Sequence, residues 1–356
     1  MKMYLTCLAL IAGAFSLKSQ NMDINTDTRM AAVDAPAMTQ EWDKVFPKSD
    51  KVNHRKVTFV NRYGITLVAD MYIPRQTGGD KLPALAVSGP FGAVKEQSSG
   101  LYAQQLAERG FLTIAFDPSF TGESGGMPRR VASPDINTED FSAAVDFLSV
   151  QPEVDASRIG ILGICGWGGI AIQAAINDPR VKATVASTMY DMTRVMARGY
   201  FDADDSAAAR NHMRAELAAR RTEDFRNGAY KRAGGVVDPL PADAPQFVKD
   251  YHDYYKTPRG FHPRSGNSTD GWNETSALPF INFRFYDYAD ELDRAVLIVH
   301  GDKAHSYYFG KDTFALLKGY DKQMLTVKDA THCDLYDDLG KIPFDEIAAF
   351  YRKYLK

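Results

Sequence analysis

The stretch Arg158-Ile-Gly-Ile-Leu-Gly-Ile-Cys-Gly-Trp-Gly-Gly169 decides how this chain is expected to fold. Residues 159–164 form an apolar run of ordinary strand length, and glycines and the small-residue segment Ile170–Ile176 follow it. This order predicts a buried strand, a sharp turn and a helix, which together present a nucleophile at the end of a strand. Cys165 stands at the turn. The partial positive charge at the start of the following helix is expected to favour its thiolate.

Trp167 leaves a second register open. A glycine usually stands two residues after the nucleophile of such a turn, and here that position is an indole. If position 167 were the tip of the turn, the protein would have no nucleophile there and would be a binding protein. Strand length favours the register with Cys165 at the tip. We then expect Trp167 to pack beneath a lid and to narrow the substrate pocket.

The pattern around this stretch predicts an α/β fold with a doubly wound, mostly parallel sheet over residues 51–356. Two segments, Lys56–Arg62 and Thr66–Ile73, flank Tyr63-Gly64 and predict an opening hairpin. Short apolar strands and amphipathic helices then alternate, which is typical of a parallel sheet with helices on both faces. The further strands are predicted at residues 82–88, 112–116, 182–187, 295–300 and 323–328.

A helical lid is predicted at about residues 190–292, where the alternation of strands and helices stops. Ser206–Phe225 is a long segment rich in Ala, Arg and Glu, and an aromatic-rich stretch follows between Tyr251 and Tyr288. An insertion between the nucleophile strand and the last strands would cover the turn. The aromatic rings either pack the lid onto the body or line the substrate pocket.

The remaining catalytic groups are sought at the ends of other strands. His332 follows the last predicted strand, in the order nucleophile, acid, histidine, and is the expected base. Asp302 follows the strand before it and is the nearest carboxylate for the acid, although a Cys–His pair can work without one. Phe91 and Gly166 are the expected N–H donors to an oxyanion. The other histidines are alternative candidates for the base: His54, His212, His252, His262, His300 and His305. Of these, His305 is also a candidate pocket residue.

Four motifs together carry a family resemblance. They are Gly89-Pro-Phe-Gly-Ala-Val-Lys-Glu-Gln97, Gly163–Gly169, Gly301-Asp-Lys-Ala-His-Ser306 and Thr331-His-Cys-Asp-Leu-Tyr-Asp337. Over about residues 50–356 the chain resembles bacterial α/β hydrolases related to dienelactone hydrolase and to fungal polyketide transferases and thiohydrolases. The resemblance implies ester or thioester acyl transfer by a Cys or Ser nucleophile. In many relatives the acid stands three residues after the glycine of the third motif, where this chain has Ala304.

Composition limits the other possibilities. The chain of 356 residues has a net charge of −3, which gives no electrostatic reason for binding nucleic acid. A charged start, a short apolar run and a polar exit predict a cleaved signal peptide at residues 1–20, followed by an N-terminal arm at 21–50. The apolar run is too short to span a bilayer, so no membrane insertion is expected. Two cysteines would remain after cleavage, too few for a disulfide framework.

The sequence therefore predicts a secreted or periplasmic hydrolase of a small ester, lactone or thioester, acting through an acyl-cysteine on Cys165. No phosphate-binding glycine loop or metal-ligand spacing occurs, so neither cofactor nor metal is expected, and the partner is a small-molecule substrate. Two alternatives remain. One is a non-catalytic binder of the same fold, and the other is a serine-type peptidase, which the lack of a serine at the turn disfavours.

Overall fold

The computed structural model describes residues 38–76 and 78–356 of the chain. The expected signal peptide and the first part of the arm, residues 1–37, lie outside the described residues. The described part of the arm packs on the body. Lys44 reaches Asp70 at 2.8 Å, and both side chains are fully buried. Trp42 and Phe46 pack edge to face beside this pair.

Eight strands form one sheet in the described part of the chain, in the order β1-β2-β4-β3-β5-β6-β7-β8. The first two strands form the predicted antiparallel hairpin, β2 also pairs antiparallel with β4, and all further pairs are parallel. The mostly parallel sheet predicted from the sequence is thus confirmed. The strands are β1 Val52–Val60, β2 Thr66–Pro74, β3 Leu82–Ser88, β4 Leu112–Phe116, β5 Val154–Ile164, β6 Val181–Ser187, β7 Ala295–Gly301 and β8 Lys322–Val327.

Helices connect the parallel strands and cover the sheet. The helices outside the lid are α1 Ser98–Ala107, α2 Pro134–Ser149, α3 Gly166–Asn177, α8 Tyr307–Leu316, α9 Asp334–Asp337 and α10 Phe344–Tyr354. Helix α2 begins at the cap Ser133, whose side chain accepts the N–H of Ile136, and has proline in its first turn. Helix α3 is apolar almost throughout because both of its sides are covered.

The segment between β6 and β7 contains the residues predicted to form a lid. Its helices are α4 Met192–Arg198, α5 Ala207–Asn227, α6 Gln246–Lys256 and α7 Ala277–Asn282. Helix α5 is largely exposed, with only Asp224 buried, whereas α6 buries Tyr254 and Tyr255 against the body. Among the residues that the structure describes, no helix is long and apolar enough to cross a membrane.

The sheet order brings the ends of the strands together at one edge. The order reverses between β3 and β5, and in open parallel sheets ligands bind outside the carboxyl ends of strands at such a point. Ser88 at the end of β3 pairs with Gly163, and Ile164 at the end of β5 pairs with Ser187 of β6. The loops after these strands therefore start side by side.

Candidate active site

Cys165 lies at the tip of the turn between β5 and α3. Its backbone adopts φ 57° and ψ −128°, a conformation that costs a non-glycine residue energy and is held only by surrounding structure. The Cys165 N–H donates to the carbonyl of Ser187, and its own carbonyl accepts the N–H groups of Gly168 and Tyr190, at 2.9 Å each. These bonds fix the turn between β5, β6 and the segment after β6.

The structure selects the register in which Cys165, not Trp167, occupies the turn. Gly163 is required because a Cβ there would lie 1.9 Å from the carbonyl oxygen of Trp167. Gly89, with φ +104°, faces the Trp167 side chain, and a Cβ on it would lie 2.7 Å from the Cβ of the tryptophan. Glycine at 89 therefore leaves room for a bulky residue where such turns usually have glycine.

Trp167 is 1% exposed and packs edge to face against Phe116 and Phe141, with ring centroids 5.7 and 5.4 Å away. It belongs to the core between sheet and helices. The prediction that Trp167 packs under the lid and narrows the substrate pocket is therefore wrong. The reason is that the Trp167 ring points from the first turn of α3 toward β4 and α2, which carry Phe116 and Phe141.

The loop after β3 carries Phe91, the expected oxyanion donor, beside the cysteine. The N–H groups of Phe91 and Gly166 both lie close enough to the Cys165 thiol to lower its pKa. The lid holds this loop from outside: the amide of Asn267 donates to the Phe91 carbonyl at 2.8 Å, and the Phe91 ring packs on Trp272 with centroids 4.7 Å apart. Body and lid together thus set the direction of the Phe91 N–H.

A buried ion cluster anchors the far end of the same loop. The ammonium of Lys95 lies 2.7 Å from Glu96, 2.7 Å from Asp117 and 2.6 Å from Glu123. Burial alone would lower the pKa of Lys95, but the attraction of Asp117 and Glu96 outweighs it and raises the pKa, so the side chain stays charged. The three carboxylates could surround a cation, and the lysine already fills that place.

His332 lies after β8, and each of its ring nitrogens has a hydroxyl group within hydrogen-bond distance. Nδ1 lies 2.6 Å from the Ser306 hydroxyl and 2.9 Å from the Thr188 hydroxyl. Nε2 lies 3.0 Å from the hydroxyl of Tyr336. Asp302 is exposed, and its N–H bonds to the Val327 carbonyl at 3.1 Å. The prediction of Asp302 as the acid is therefore wrong, because the chain turns it to solvent and Ser306 faces the imidazole instead.

Both candidate reacting groups are neutral in the resting site. Burial raises the pKa of the Cys165 thiol, and the hydrogen bonds from Tyr336, Gly166 and Phe91 only partly oppose it. Burial, with help from the nearby rings of His305 and His300, holds the pKa of His332 well below its usual range. The expected thiolate, favoured by the start of α3, is therefore not the resting form, because burial raises the pKa of the thiol.

His305 lies behind the site and not in its wall. Its Nε2 contacts the hydroxyl of Tyr190, and its ring stacks on Phe247 with centroids 4.3 Å apart. Burial lowers the pKa of His305 to about 4, so it too is neutral. The expectation that His305 lines the pocket is corrected accordingly: Tyr190 and Tyr251 stand between it and the cysteine.

Sequence reasoning missed the groups that touch Cys165 and His332 most closely. The hydroxyls of Tyr336 and Tyr251 lie close enough to the thiol to lower its pKa. Tyr336 stands four residues after His332, one helical turn on, and Ser306 ends a motif already singled out, so spacing could have pointed to both. Tyr251 comes from α6, and its partner hydroxyl on Tyr190 is 3.0 Å away. Only the folded lid brings Tyr251 to the site.

A cavity of about 400 Å³ opens in front of the thiol. Its wall is aromatic and aliphatic with a few hydroxyls and one amide, and none of the described residues that line it is charged. His332 is not among them, so Tyr336 separates the imidazole from the cavity. The lining consists of Phe91, Cys165, Tyr190, Met192, Val195, Met196, Gly199, Tyr200, Gly234, Gly235, Val236, Tyr251, Asn267 and Tyr336.

Sheet order, turn and the histidine after the last strand define the class of protein: an α/β hydrolase. The family model described as X-Pro dipeptidyl-peptidase (S15 family) matches residues 63–334. The chain belongs to this family.

Individual relatives agree with this class. Uncharacterized protein PA2218 of Pseudomonas aeruginosa is 56% identical over 89% of this chain and 85% of its own. The crystal structure of PA2218 superposes with a TM-score of 0.86 at 55% identity, covering 89% of this chain and 98% of that one. Thiohydrolase aneE of Aspergillus aculeatus is 34% identical over 39% of this chain and 42% of its own length.

A more distant structure shows the same fold. DcsB, solved in complex with its substrate analogue, superposes with a TM-score of 0.70 at 21% identity, covering 85% of this chain and all of that one. The resemblance to α/β hydrolases of the thiohydrolase and polyketide transferase kind is thus confirmed. The closer link to dienelactone hydrolase stays a prediction.

Proposed function

We propose that this α/β hydrolase cleaves small, uncharged esters or thioesters through an acyl intermediate on Cys165. The observation that carries the proposal is the position of the thiol. It stands at the tip of a constrained turn, faces an apolar cavity, and meets the N–H groups of Phe91 and Gly166. Two convergent N–H donors beside a nucleophile are what acyl transfer needs, because the carbonyl oxygen of the substrate becomes negative in the transition state.

The cavity indicates the kind of substrate. Its volume of about 400 Å³ suits a small molecule, and tyrosines and methionines dominate its wall. Such a wall favours apolar or aromatic acyl groups. A charged acyl group would have no partner among the described lining residues, and burying it would cost several kcal/mol. We therefore infer an uncharged acyl group, in an ester, lactone or thioester.

Each residue has a role in this reaction. The neutral imidazole of His332 accepts the proton of the thiol, Cys165 attacks the carbonyl carbon, and the N–H groups of Phe91 and Gly166 hold the oxyanion. Ser306 and Thr188 orient the ring through Nδ1, in the place where a carboxylate is common. Water then attacks the thioester, and the same groups release the acid.

Cys165→Ala tests the proposal. The matched control is Cys165→Ser, which puts a hydroxyl of similar size in place of the thiol. Wild type should hydrolyse p-nitrophenyl esters, and a stopped reaction should contain protein whose mass has grown by one acyl group. The alanine variant should lose turnover by about 10⁴-fold or more. Unchanged hydrolysis by Cys165→Ala would exclude Cys165 as the nucleophile.

The family match favours one second candidate, cleavage after an X-Pro dipeptide. A dipeptidyl-peptidase must hold a charged peptide amine, and the lining residues that the structure describes include no carboxylate that could do so. The same assay should therefore include an X-Pro p-nitroanilide beside the esters. Faster cleavage of the anilide than of every ester and thioester would favour the peptidase.

We also propose that the protein is exported, and that residues 1–20 are removed on the way. This rests on the sequence pattern of the N-terminus alone.

A further inference from the structure

The hydroxyl of Tyr336 stands between the two groups that must exchange a proton. It lies 3.0 Å from Nε2 of His332, and Tyr336 and Cys165 line the same cavity, where the phenol is close enough to the thiol to lower the pKa of Cys165. Tyr336 is fully buried and lines the cavity, whereas His332 does not.

A proton relay through Tyr336 requires the tautomer of His332 with its proton on Nδ1, and the hydroxyls beside Nδ1 can accept that proton. The Thr188 oxygen lies 3.4 Å from the carbonyl of His332 and 2.9 Å from Nδ1, and a hydroxyl that donates to the carbonyl accepts at Nδ1. A proton on Nδ1 satisfies this acceptor and the Ser306 oxygen, and it leaves the lone pair of the neutral ring on Nε2. In this tautomer Nε2 accepts the hydrogen of Tyr336, and the phenol oxygen is free to accept one from the thiol.

We propose that Tyr336 is a catalytic residue that relays protons between the Cys165 thiol and Nε2 of His332. The proposal rests on the proposed function. As the sulfur attacks the carbonyl carbon, the thiol proton passes to the phenol oxygen and the phenol proton passes to Nε2. The carbon–sulfur bond forms while the tyrosine stays uncharged, and the imidazole becomes an imidazolium.

The second half of the step reverses this flow. The tetrahedral intermediate collapses and breaks the bond to the leaving alcohol or thiol, which takes the phenol proton while Nε2 returns its proton to the phenol oxygen. A water molecule then attacks the acyl-cysteine, loses its proton through the same two groups, and the sulfur leaves protonated. The enzyme ends in its starting state, and no external oxidant or reductant is needed.

A second hydroxyl on the thiol offers a comparison. Tyr251 also faces the sulfur, and its hydroxyl bonds to that of Tyr190, which contacts His305. This route needs two hydroxyls to reach an imidazole, and the Tyr336 route needs one. The remaining titratable groups that influence the thiol and its tyrosines are Tyr200, Tyr255 and Cys333.

Tyr336→Phe tests the relay, because it removes one oxygen and keeps the ring. The control is Tyr254→Phe, a fully buried tyrosine whose ring centroid lies 5.0 Å from that of Tyr336 and which lies outside the cavity wall. We expect kcat/KM for p-nitrophenyl acetate to fall about 10²- to 10³-fold in Tyr336→Phe and to stay within a few-fold in Tyr254→Phe. Alkylation of Cys165 by iodoacetamide should move to higher pH in Tyr336→Phe, because a donor to the thiolate is lost.

Further measurements separate the relay from simple structural support. The rate in mixtures of light and heavy water should curve with deuterium content in wild type, since two protons move, and should be linear in Tyr336→Phe. A fluorinated tyrosine at 336 keeps the shape and lowers the phenol pKa, so it should retain the curvature and shift the pH profile. Wild-type kcat/KM and alkylation in a folded Tyr336→Phe, with Cys165→Ala inactive, would overturn the relay alone. Activity in Cys165→Ala would overturn the proposed function itself.

Discussion

Replacing Ser306 by aspartate would put a carboxylate beside Nδ1 of His332, where the neighbours are now the hydroxyls of Ser306 and Thr188. Ser306 is fully buried, and its oxygen is 2.6 Å from Nδ1. Burial and the neighbouring His305 and His300 keep the pKa of His332 well below its usual range, so the imidazole is a weak base. A carboxylate beside Nδ1 would stabilise the imidazolium and raise that pKa.

The size of the effect follows from the new contact. A hydrogen bond to a charged group is worth about 1.5–3 kcal/mol, and about 1.4 kcal/mol corresponds to a tenfold change in basicity. His332 should therefore become roughly 10- to 100-fold more basic. Because only part of a gain in basicity appears in the rate of proton transfer, we expect kcat/KM at neutral pH to rise roughly 3- to 10-fold. The buried carboxylate should lower the free energy of unfolding by several kcal/mol.

The control is Ser306→Asn, which has nearly the same shape as the aspartate variant but no charge. The measurements are kcat/KM for p-nitrophenyl acetate from acidic to mildly alkaline pH, and chemical unfolding of both variants. In Ser306→Asp the acidic limb of the profile should lie at higher pH than in Ser306→Asn, because the raised pKa leaves less neutral base at low pH. Identical profiles in the two variants would refute the reasoning that His332 is the base and lacks a carboxylate.

Two further predictions concern the core and the N-terminus. Trp167→Ala should lower the free energy of unfolding by about 3–5 kcal/mol, measured by denaturant titration. It should leave the ratio of kcat/KM for long and short acyl esters unchanged, because the ring contacts Phe116 and Phe141 and not the cavity. A changed ratio would show that the indole does contact the substrate. Protein from the native host should be found outside the cytoplasm with a sequence starting near Asn21, and an intact N-terminus in the cytoplasmic fraction would contradict export.

The sheet and the turn could be predicted because their signals are local. An apolar run, a cysteine and glycines in one stretch indicate strand, turn and helix whatever surrounds them. Phe91 and His332 followed from their places after two other strands, since the ends of parallel strands share one edge of the sheet.

The residue that faces the His332 ring and the direction of the Trp167 ring could not be predicted in the same way. Asp302 and Ser306 are four residues apart in one loop, and only the path of that loop decides which of them meets the imidazole. The place of Trp167 two residues after the nucleophile predicts a pocket residue, but its ring packs in the core against Phe116 and Phe141. Tyr251 comes from the lid, more than eighty residues after the cysteine, and no local pattern connects them.

The neutral surroundings of the site bear on why a cysteine stands at the turn. A free thiol has a pKa of about 8.5, and even after burial raises it, the thiol loses its proton far more easily than a serine hydroxyl would. A serine in this position would need a strong base, and His332 without a carboxylate is a weak one. A cysteine nucleophile therefore suits a histidine that has no carboxylate partner, because the thiol needs only a weak base. Cys165→Ser should fail at the proton transfer more than at substrate binding, so its kcat should fall while its KM stays close to that of the wild type.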